Sequence, residues 1–106
     1  MKLVLLMYLE DDDRGVIELL ERHGVVAYSR LPVEGHGSGM RGWYGEVAPF
    51  RSRLLFTLVP ADKAAELLDE VQGCTSCKDP THPVRAMLVD VERAVTSGTR
   101  SISETL

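Results

Sequence analysis

The chain has 106 residues, room for one domain and one core. An apolar fraction of 44% and a charged fraction of 26% fit an ordinary globular protein, and no apolar stretch approaches the ~20 residues of a membrane span. Sixteen acidic against twelve basic residues leave a net charge of −4 with no basic run, which excludes a phosphate track for nucleic acid.

Lys2 to Leu9 is a nearly continuous apolar run of strand length. It is too short for a signal peptide's apolar core with a cleavage site, so a cytoplasmic location is expected. Glu10 to Asp13 place carboxylates where the free N–H groups of a helix start favour them. Val16, Ile17, Leu20 and, at its edge, Leu19 predict one apolar helical face, closed by Gly24 as a left-handed cap. His23, near the end of that helix, suits the helix's negative end.

Val25 to Val33 reads as a second strand. Between Glu34 and Pro49 follow Gly35, Gly37, Gly39, Gly42 and Gly45, five of the nine glycines in the chain. Phe50 to Val59 is a third strand. Pro60 and Asp62 mark a second helix start, with Ala64, Leu67, Leu68 and Val71 at helical spacing and Gly73 at its end. Cys74 to Pro83 is a polar loop, and Val84 to Val91 a last strand. The Ser/Thr/Gly-rich tail 96–106 has little to bury and is expected to be mobile.

This order predicts an α+β, ferredoxin-like βαββαβ domain over residues 1–95, with a long flexible loop at 34–50. Two helices cover only one face of such a sheet. Yet Leu3, Leu5 and Met7 on one side of the first strand, and Val4, Leu6 and Tyr8 on the other, make both of its faces apolar, and the third strand is similar. The second face needs a partner, and another copy of the chain is the simplest one.

A loop of this length without secondary structure is uncommon in a compact domain and usually functional. Its first part, Val33-Glu-Gly-His-Gly-Ser-Gly-Met40, has backbone that a ligand can approach closely, because glycine lacks a Cβ. Its Gly-x-Gly-x-Gly does not open a helix, so a Rossmann site is excluded. Further on, Arg41, Trp43 and Tyr44 stand together, residue types that anchor interfaces.

The whole pattern resembles the PII signalling family, from Met1 to about Val95. The resemblance rests on the second strand running into Val33-Glu-Gly-His-Gly37 and on the long loop ending near Phe50. It continues through Arg53-Leu-Leu-Phe-Thr-Leu-Val-Pro60 and Arg85-Ala-Met-Leu-Val-Asp-Val91. It implies a homotrimer that binds an adenine nucleotide (AMP, ADP or ATP) between subunits. It also implies a loop that engages a target protein such as a transporter or metabolic enzyme. Gly35 and Gly37 match glycines that pass the nucleotide, and Arg85 stands where the family has a phosphate-contacting lysine. Of the family's glycine-rich phosphate loop, Thr75 and Lys78 are the reminiscent residues. The paired arginines after the last strand are replaced by Thr96 and Gly98, with Arg100 as a substitute. Each missing charge-assisted contact forfeits roughly 1.5–3 kcal/mol, which weighs against a triphosphate and for a mono- or diphosphate or another small anion. Tyr44 lies near a loop tyrosine that some members modify, but with different neighbours.

Cys74 and Cys77 at C-x-x-C spacing suit one soft metal, zinc or copper, with His82 five residues on and His36 or Asp79 to complete four ligands. A redox-labile disulfide or an inert pair are the alternatives. The Asp11-Asp12-Asp13 run reads as a helix start rather than a metal site. No nucleophile, base and acid are grouped as a catalytic site requires, so the chain reads as a binder and not an enzyme.

Overall fold

The computed structural model describes residues 1–36, 50–73 and 83–98. Strand β1 (Lys2–Leu9) leads through a 3₁₀ turn at Glu10–Asp12 into α1 (Asp13–Arg22). Strands β2 (Ser29–Gly35) and β3 (Phe50–Val59), helix α2 (Ala61–Gly73) and β4 (Val84–Asp90) follow. The sheet has the order β2-β3-β1-β4 with antiparallel neighbours throughout, as the ferredoxin-like reading requires.

Gly24 adopts φ +74°. Its N–H donates to the Glu21 carbonyl at 3.0 Å and the Val25 N–H to the Leu20 carbonyl at 2.9 Å, the two bonds of a Schellman cap. That cap changes the second strand. Val25 is drawn into the core beside Leu20 rather than into a ladder, and pairing begins only at Ser29. The connecting segment is instead pinned by Thr57, whose hydroxyl donates to the Ala27 carbonyl at 2.7 Å. At its other end the strand runs two residues past Val33, with Glu34 opposite Arg51 and Gly35 opposite Phe50. Gly35, expected in the loop, is therefore a strand residue.

Both helices pack on one sheet face. Val4, Leu6 and Tyr8 of β1 and Leu55 and Val59 of β3 meet Val16, Leu19 and Leu20 of α1 and Ala64 and Leu67 of α2. The helix ends are tied by Arg22 to Glu70 at 2.7 Å, and His23 faces Glu66 and Glu70 as well as the end of its own helix.

The strand register assigns the other face to Leu31 and Val33, Leu54, Phe56 and Leu58, Leu3, Leu5 and Met7, and Met87 and Val89. Among the described residues no element covers it. Leu31 is 41% exposed, Phe56 37% and Val89 43%. Isolated exposed apolar residues are ordinary, but a contiguous apolar sheet face marks an interface.

Candidate functional site

Of the residues singled out in the sequence, Gly35, His36 and Arg85 are described. Gly37, Arg41, Trp43, Tyr44, Cys74, Cys77, Lys78 and His82 lie outside the described residues. Gly35 ends β2 on one edge of the sheet, and Arg85 is the second residue of β4 on the other edge. Register places both on the open face, toward the end from which the long loop departs. His36 follows Gly35, and its Nε2 is 2.6 Å from the Glu34 carboxylate. Among the described residues no three His, Cys, Asp or Glu side chains converge on a metal position.

At the opposite end of the sheet lies a cavity of about 300 Å³ lined by Gly24 to Ala27, Thr57 to Pro60 and Lys63. That volume is at the lower end of what small-molecule sites use. Phe50 and Thr57 are seven strand residues apart, so cavity and loop base are separated by on the order of 25 Å. One copy of the chain does not bring them to a single small ligand.

The loop end also holds a polar cluster on the helix-covered face. Tyr8, fully buried, donates from its hydroxyl to Asp13 Oδ1 at 2.7 Å. Arg30 of β2 donates to Asp13 Oδ2. Arg53 of β3 places its terminal nitrogens 3.9 Å from Asp13 Oδ2 and 3.9 Å from Glu10 Oε1, and its Nε is buried without a partner. Burial raises the Tyr8 phenol above its ordinary value, and the Asp13 hydrogen bond adds to this. Burial pushes the Asp13 carboxyl up, but the bonds from Tyr8 and Arg30 and the charges of Arg30 and Arg53 outweigh it and hold the group low. A carboxyl lowered by folding stabilises fully above the ordinary aspartate value of ~3.9 and loses that contribution as pH falls through its folded value. Asp13→Asn is therefore expected to flatten the acid limb of the stability–pH curve below about pH 4. An unchanged limb in urea melts would refute it.

The carboxylate run predicts a helix start, and Asp13 is indeed the first residue of α1. The residue before it, Asp12, is the N-cap and makes no side-chain cap bond, while Asp13 itself turns to the strands. The signal in the sequence is Arg53, a charge two residues before the buried Leu55 on the helix-facing side of β3.

Ser52, one residue away on the open face, is 1% exposed with no partner for its hydroxyl. Leaving such a group unbonded costs about 1–3 kcal/mol. Ser52→Ala is expected to raise the stability of the free protein by about 1 kcal/mol in denaturant melts; a loss of stability would show that the hydroxyl is bonded in solution.

No family model and no curated protein matches the chain. Solved structures do. A Thermus thermophilus protein assigned to PII-like signalling is 26% identical, with 85% of each chain covered and a TM-score of 0.63. The chain has the fold of PII-like signalling proteins. CPII of Thiomonas intermedia K12, bound to ADP, AMP and acetate, shares the fold at 20% identity over 87% of this chain and 88% of that one, TM-score 0.63. The form of CPII, a nitrogen regulatory PII-like protein, bound to ADP, AMP and bicarbonate is 19% identical over 89% and 94%, TM-score 0.61. Among the described residues no helix is long and apolar enough to cross a membrane.

Proposed function

We propose that this protein is a PII-like signal-transduction regulator that binds an adenine nucleotide in clefts between three identical copies. It controls a target protein, a transporter or metabolic enzyme, through the loop at 34–50. The observation that carries the reading is the division of the binding features within one copy. The cavity beside Val25 to Ala27 and the loop base at Gly35 lie at opposite ends of a sheet whose second face is apolar and open. Assembly through that face covers it and lets the cavity of one copy meet the loop base of the next. In such a cleft Gly35 and Gly37 give close backbone approach, while Arg85 and Lys78 bind phosphate oxygens. Arg41, Trp43 and Tyr44 grip the target. The ADP and AMP bound by CPII support the nucleotide class, and its acetate and bicarbonate support a small carboxylate or carbonate anion as a second effector.

Calorimetric titration with AMP, ADP and ATP tests the reading. Saturable heat from at least one nucleotide is expected, with affinity falling about tenfold to a hundredfold in Arg85→Ala, the loss of one charge-assisted contact. Absence of heat from all three nucleotides would overturn it.

A further inference from the structure

The loop is carried by two strands, and each presents one arginine to the same carboxylate. Arg30 stands on β2, which enters the loop, and Arg53 on β3, which leaves it. Asp13, at the first residue of α1, lies between them. Its Oδ1 is fixed by the buried Tyr8 hydroxyl at 2.7 Å. Its Oδ2 takes the close bond from Arg30 and leaves Arg53 at 3.9 Å.

The sharing is unequal. Arg53 reaches Glu10 only at 3.9 Å, and its buried Nε bonds to nothing, so a guanidinium between strand and helix layer is under-satisfied in this arrangement. Arg30, on an exposed edge strand, has the bond that Arg53 lacks. β2 needs that tie. Its residues are largely exposed, Pro32 brings no N–H, and the strand has a ladder on one side only. A bond from Arg30 to α1 therefore restrains the strand that ends in Gly35.

We propose that Asp13 is a positioning residue for the loop base, a Tyr8-anchored carboxylate that exchanges between Arg30 and Arg53. In one state it holds β2 to the helix layer. In the other it satisfies Arg53 on β3 and frees β2. The exchange replaces one charge-assisted bond by another and keeps the Tyr8 bond, so the two states are close in energy, as a switching element requires. Coupling to ligand at Gly35 rests on the nucleotide reading; the exchange itself does not.

Amide hydrogen exchange at Val33 to Gly35 tests it on the unliganded full chain. Arg30→Gln and Asp13→Asn are expected to speed exchange there by about tenfold, Arg30→Lys to restore it, and Arg53→Gln to slow it by removing the competitor. A static anchor does not give opposite signs for the two arginines. Changes of the same sign in Arg30→Gln and Arg53→Gln, or no change in either, would overturn the proposal. Each variant's thermal melt separates local opening from global unfolding, and Arg30→Lys keeps the test open if Asp13→Asn does not fold. Parent protein that binds no nucleotide but shows the opposite signs retains the switch and loses only the nucleotide reading.

Discussion

Replacing Phe56 by glutamate is expected to reduce the solution mass from three times the 11.7 kDa chain to that of a single folded chain. Phe56 lies on the open face, opposite Leu5 on β1 and Ser29 on β2, and is 37% exposed. In a separate copy a carboxylate there faces water. In an assembly closed through this face it has to be desolvated among Leu3, Leu5, Leu54 and Leu58 with no counter-charge, a cost of several kcal/mol per copy. Light scattering at micromolar concentration reads the result directly. A parent chain that is already monomeric removes the basis of the trimer, and a Phe56→Glu variant that stays trimeric places the interface elsewhere.

Leu54 and Leu55 are neighbours in β3 that face opposite ways, and truncating each to alanine is expected to have different consequences. Leu55 is fully buried opposite Leu6, under the helices. Leu55→Ala should cost about 2–5 kcal/mol, the transfer term plus the cavity, independent of protein concentration. Leu54, opposite Met7 and Leu31, is only half-buried within one copy. Leu54→Ala should therefore cost the isolated chain less than Leu55→Ala does, and its remaining effect should grow with concentration as association adds to stability. Equal, concentration-independent losses from both would show that the open face is covered within the chain.

The regular elements were legible because each carries its own period. β1, β3 and α2 occur where their apolar patterns place them, and Gly24 caps α1 because no other residue there tolerates positive φ at low cost. The shifted boundaries of β2 have local causes. Val25 is as apolar and β-branched as a strand residue, but its N–H is taken by Leu20 and its side chain by the core beneath the cap. Gly35 reads as loop because glycine usually is, whereas pairing with Phe50 holds it in the ladder.

The candidate site divides in the same way. That β1 is apolar on both sides was visible in Leu3 to Tyr8, and so was the need for a partner on the second face, because alternation is a local property of a strand. What lies together was not visible. Tyr8, Asp13, Arg30 and Arg53 come from four elements and meet only when β3 inserts between β1 and β2 and α1 folds over them. Periodicity reports which way a side chain points relative to its own backbone and is silent on which distant charge it meets. The amino-acid sequence by itself thus determined the order of elements, the apolar faces of the helices and the need for a partner on a second apolar sheet face, whereas the structure decided which face of β1 meets the helices. The tertiary structure alone decided that Asp13 belongs to the strands carrying the loop, and that the cavity and the loop base stand at opposite ends of the sheet.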